Sequence, residues 1–183
     1  MKEHEEDRRT FSRVSTRIDA LIRRIESPDA PQLFHETLLL PDARNIFVGS
    51  NVPKEIGEFL LALDAKLDTL VSMASRDRLE QDFPIPADVY EVSGNGIRFH
   101  TTHDFRPGDH VEVVLFLSRM PLRLTSAVGV VLDKRAASSR DELSPQWALK
   151  FTRIREQDLE AVVQFVFQQE RRTIRERRLY HEE

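Results

Sequence analysis

Tyr90-Glu91-Val92-Ser93-Gly94-Asn95-Gly96-Ile97-Arg98-Phe99 is the stretch that decides the fold. Two apolar-alternating segments meet at Asn95-Gly96, the strongest short hairpin signal a sequence carries, so a β-turn is expected here. Ser93 brings a hydroxyl to the turn. Gly94 and Gly96 have no Cβ, so backbone N–H groups can approach an oxygen-rich ligand closely. Standing alone, the motif reads first as a plain hairpin; an arginine cluster at the N-terminus gives it further meaning.

Working outward, the segments after the hairpin continue the β pattern. Arg106-Pro107-Gly108-Asp109 reads as a second turn. Val111, Val113, Leu115 and Leu117 alternate with Val114 and Phe116, so both faces are apolar and the strand is central. Leu122, Leu124, Val128 and Val130 mark another strand, 136–145 a loop, and Trp147, Leu149 and Phe151 a third strand. Short strands at this spacing predict an antiparallel barrel. A final helix is expected from Asp158, with Leu159, Val162, Val163 and Val166 as its apolar stripe. Its last turns carry Arg171, Arg172, Arg175, Arg177 and Arg178, which suit the negative end of the helix dipole.

Before the hairpin, Val14 to Ile25 fits both periods; taken alone, the spacing leans toward helix. The clearest helix follows Pro53, from about Lys54 to about Ala74, with Asn51 or Ser50 near its start. Ile56, Leu63 and Leu70 recur every seven residues, and Leu60, Leu67 and Ala74 follow four behind. That is a coiled-coil seam, and it predicts either self-association through the 54–74 helix or an intramolecular helix pair. Arg76 to Gln81 reads as a charged stop and Phe83-Pro84-Ile85-Pro86 as a linker.

The chain has 183 residues, a net charge of −4 and 32% charged residues of both signs. This balance argues against bulk attraction to duplex nucleic acid or an acidic membrane. No apolar run would span a bilayer, and the charged start suggests a cytoplasmic protein. Cysteine is absent, which excludes disulfides, thiolate zinc sites and a cysteine nucleophile. His100, His103 and Asp104 lack a third ligand of defined spacing, so no metal site is expected. There is no Walker loop, nucleophile elbow or dinucleotide fingerprint, so an enzyme is not expected. Two tyrosines and one tryptophan make a single-strand nucleic-acid surface a weak alternative.

Arg9-Thr10-Phe11-Ser12-Arg13, preceded by Arg8, together with Glu91-Val92-Ser93-Gly94-Asn95-Gly96, resembles the paired binding motifs of the PilZ domain family. These are Arg-x-x-x-Arg ahead of a first strand, and Asp/Asn-x-Ser-x-x-Gly in the barrel hairpin. The end of the chain, from Phe151 through Asp158 into the arginine-rich helix, is also similar. The resemblance implies an α+β fold: an antiparallel β-barrel, an inserted long coiled-coil-type helix and a C-terminal helix. It places a strand directly after the arginines, against the helical lean of the spacing. The chain would be one domain over 1–183, with residues 27–86 as a helical insertion like that of atypical members that oligomerise through a long helix.

The implied function is a non-enzymatic receptor for cyclic di-GMP, acting on motility, adhesion or other surface behaviour through a downstream protein. The implied ligand-binding residues are Arg8, Arg9, Arg13, Glu91, Ser93, Gly94 and Gly96. Guanidinium forks suit both phosphates and guanine edges. Glu91 departs from the family's Asp or Asn, being one methylene longer than Asp and unable to donate when ionised. The alternative is an oligomeric scaffold that binds no nucleotide. Ile56, Leu60, Leu63, Leu67 and Leu70 would form the oligomerisation seam.

Overall fold

The computed structural model describes residues 12–34, 52–119, 122–135 and 145–179. Arg8, Arg9, the cap candidates Ser50 and Asn51, and most of the 136–145 loop lie outside them. The elements are β1 (Arg13–Ile25), α1 (Lys54–Asp82), β2 (Ile85–Ser93), β3 (Gly96–His100), β4 (His110–Arg119), β5 (Leu122–Arg135), β6 (Gln146–Ile154) and α2 (Glu156–Leu179). All six strands close an antiparallel barrel in the order β1-β2-β3-β6-β5-β4. Closure leaves no sheet edge unpaired.

Residues 14–25 are strand, against the helical lean of their spacing. Their period-2 set Val14, Ile18, Ala20 and Ile22 turns into the barrel, while β2 and β4 bond the backbone on either side. Two ladders outweigh a helical stripe that has nothing to pack against. β4 is apolar on both faces because it serves two cores. Val111, Val113, Leu115 and Leu117 fill the barrel, and Val114 and Phe116 face a second cluster with Leu21, Phe34, Leu79, Phe83, Leu122 and Leu124. α2 packs on the barrel core through Ala161, Val162, Phe165 and Val166. Its start is anchored by the fully buried Asp158, which accepts from the Ser126 N–H (3.2 Å) and from Arg155 Nε (2.6 Å).

α1 runs two turns beyond the expected end, through the 76–81 stretch read as a stop. Charge does not end a helix whose apolar side has a seat: Leu79 is buried in the second cluster, and Phe83, at the C-cap, is 1% exposed. Phe83 to Pro86 is therefore no free linker. Phe83 pins the helix to the barrel and Ile85 opens β2. At the other end Pro53 is the N-cap, without a side-chain cap. Along the length between, Ile56, Leu60, Leu63, Leu67 and Leu70 lie 39–63% exposed, with Phe59 and Met73 also in solvent.

The predicted turn at Arg106–Asp109 is present. Gly108 has φ 95°, the only positive φ among the described residues, as a Pro-Gly turn of this kind requires. The hairpin of β2 and β3 is also present, but its central residues are Gly94 and Asn95, one position earlier than expected. Gly96 is already strand.

Candidate functional site

The site grows from that one-residue shift and from a bulge. Regular alternation would send Glu91 inward with Val89. Instead the β2–β3 register slips between Val89 and Glu91, so Tyr90 and Glu91 both stay on the outer face while Val92 returns to the core. A bulge re-aims side chains in this way. Glu91 then lies directly across from Arg98, and Ser93 across from Gly96. On the other flank β1 pairs Arg13 with Ser93, bringing the N-terminal arginine motif to the hairpin.

These residues border one open cavity of about 240 Å³. Its charged rim is Arg13, Arg98, Lys150 and Glu91, and its apolar side includes Leu132, half-exposed on β5. The Glu91 carboxylate holds both guanidinium groups on a single oxygen, Oε1, at 3.4 Å from Arg13 Nη1 and 3.2 Å from Arg98 Nε. Three cations against one carboxylate leave the cavity net positive. A second cavity of about 280 Å³ is lined by Asp19, Asp88 and Arg119, the last already paired with Asp19. Two carboxylates and one spent guanidinium repel an anion, so the smaller cavity is the better anion site.

The expected site residues divide as follows. Arg13, Glu91, Ser93 and Gly96 meet at the cavity. Gly94 is buried in the turn and does not border it. Arg8 and Arg9 lie outside the described residues. Ser93 is almost fully buried, with Oγ 2.7 Å from Asn95 Oδ1 and 3.1 Å from the Gly96 carbonyl oxygen, so its hydroxyl braces the turn. Gly96 has a packing reason as well: a Cβ there would run into the Leu149 backbone carbonyl of β6. The Phe151 N–H donates to the Asn95 carbonyl (2.9 Å), which fastens the turn to the same strand.

Arg98 and Lys150 were not among the expected site residues. Folding the hairpin on paper about Asn95-Gly96 would have set Arg98 across from Ser93; it faces Glu91 only because the turn is centred one residue earlier. Lys150 had no local signal; it arrives only because β3 pairs with β6, setting it across from Gly96. No described group of His, Asp or Glu has the arrangement of a metal site, and no described helix is long and apolar enough to cross a membrane.

The fold, a closed six-stranded antiparallel barrel with a long helix between β1 and β2 and a C-terminal helix, has counterparts among known proteins. The PilZ domain model matches residues 68–168, and the chain belongs to the PilZ domain family. Among solved structures, a tetrameric PilZ domain protein of Xanthomonas campestris, self-assembled via an unusual helical bundle, superposes with TM-score 0.51 at 20% identity. It covers 90% of this chain and 88% of its own. The Bacillus subtilis inhibitor of motility MotI/DgrA superposes with TM-score 0.50 at 12% identity over 89% of this chain. The chain spans about half the length of that protein, 51%. At these identities the likeness is one of fold. A search of curated proteins finds no match.

Proposed function

We propose that this protein is a non-enzymatic receptor for cyclic di-GMP that passes its signal to a protein partner. The observation that carries the reading is the Arg13–Ser93 register, which joins the two halves of the family's binding signature at one net-positive cavity. Arg13 and Arg98 offer guanidinium forks for a phosphate or for the O6/N7 edge of guanine. Lys150 adds a point charge, and the half-exposed Leu132 an apolar contact for a base. Arg8 and Arg9 would complete the grip from the chain ahead of β1.

Isothermal titration with cyclic di-GMP tests it. Saturable binding is expected, weakened about tenfold or more by Arg13→Ala, the loss of one charge-assisted contact. An absence of heat at high protein concentration would instead support a scaffold that keeps the fold and binds no nucleotide.

The receptor is also proposed to be a homo-oligomer through α1. The exposed stripe of Ile56, Leu60, Leu63, Leu67 and Leu70 supports this, because large aliphatic side chains at heptad spacing leave water when helices pair. Leu63→Asp with Leu67→Asp is expected to lower the mass measured by light scattering while the barrel's melting transition is retained. An unchanged mass would count against a self-association role for α1.

A further inference from the structure

We propose that Glu91 is a built-in stand-in for the ligand's phosphate, and that binding proceeds by exchanging its carboxylate for that phosphate on Arg13 and Arg98; the inference rests on the receptor reading above. Three observations converge. First, the bulge at Tyr90 takes Glu91 out of the barrel's inward alternation and sets it across from Arg98. Second, one oxygen, Oε1, stands within ion-pair distance of guanidinium groups on two different strands, Arg13 of β1, which donates a long hydrogen bond to it, and Arg98 of β3. Third, the Arg98 side of the contact is sheltered, with the Arg98 and Glu91 side chains 20% and 30% exposed, while Arg13 stands more open at 47%.

A carboxylate and a phosphate offer a guanidinium the same kind of acceptor, and two anions do not share a sheltered site without strong repulsion. The incoming phosphate therefore has to displace Glu91. The exchange has two consequences for this chain. Glu91 keeps both guanidinium groups aimed at the cavity before ligand arrives, and it lowers the apparent affinity by competing for them. It also assigns Arg98 as a ligand contact beside Arg13.

Glu91→Gln keeps the shape and removes the charge. Titrations with cyclic di-GMP on the full chain would compare wild type, Glu91→Gln, Arg98→Ala and the double variant. Glu91→Gln is expected to tighten binding about fivefold, the scale of a partly exposed ion pair released to the ligand. The gain should vanish when Arg98 is already alanine, a coupling that a purely structural role for Glu91 would not produce. Binding by the variant where wild type binds too weakly to measure would support the exchange in its strongest form. Unchanged or weaker binding by Glu91→Gln, beside a wild type that binds, overturns the exchange and leaves the receptor standing. Failure of both proteins to bind at millimolar nucleotide removes the receptor reading, and the exchange with it.

Discussion

Glu112→Ala is expected to destabilise the fold by about 3–5 kcal/mol, the cost of removing one partner from a buried charged pair. Glu112 is fully buried in β4, on the face away from the barrel interior. Its carboxylate accepts from Arg23 Nε at 2.7 Å, from the Leu33 N–H at 3.0 Å and from the Phe34 N–H at 3.0 Å. Arg23 in turn donates to the Pro31 carbonyl at 2.9 Å and lies over the Phe83 ring at 5.8 Å. Alanine would leave a largely buried guanidinium without its counter-charge and the Leu33 and Phe34 N–H groups without their acceptor. Phe34 would lose its seat beside Leu79 and Phe83, the residues that fix the base of α1. Chemical denaturation is the measurement, and a loss below about 1 kcal/mol would show that water reaches these donors. Replacing the pair together, Arg23→Met with Glu112→Leu, should cost less than Glu112→Ala alone, because only the Leu33 and Phe34 N–H groups, and no charge, are then left without a partner.

Gly96→Ala is expected to cost about 3 kcal/mol, at the upper end for overpacking, because the added Cβ meets main chain. The Leu149 carbonyl lies in its path and the Lys150 Cα would be 3.3 Å away. A side chain can rotate aside; a paired strand cannot. For a domain of this size the melting temperature should fall by roughly 6–12 °C. The displaced strand carries Lys150, so on the proposed receptor reading cyclic di-GMP affinity should fall as well. A melting temperature within about 2 °C of wild type would show that β3 and β6 can separate cheaply at this point.

Gly96 also shows how sequence reading succeeds for a partly mistaken reason. Asn95-Gly96 announces a turn, and a turn is there, but the glycine sits in β3 and serves the approach of β6. The barrel strands were legible because alternation is a local record of which face is buried. The double apolar face of β4 correctly marked a strand covered on both sides. β1 was harder, since its apolar residues satisfied two periods, and the family's motif order resolved what spacing could not. The family match begins at residue 68, inside α1, so β1 and Arg13 lie ahead of it, separated from their sheet partners by α1.

The end of α1 was misread because charged residues between 76 and 81 carry no information about Leu79 and Phe83 finding a pocket. Half of the candidate site was visible as motifs. Arg98 and Lys150 were not, and neither was the Glu91 contact that joins two strands.

By itself, the sequence determined the strands after the long helix, the existence of both helices, the hairpin, the heptad stripe and, through its motifs, the family, because each is written in residues close together along the chain. The tertiary structure alone decided which charges face one another. Barrel closure, the bulge at Tyr90 and the β3–β6 register are set by pairing between distant segments, and a shift of one residue in any of them would turn Glu91, Arg98 or Lys150 to the opposite face.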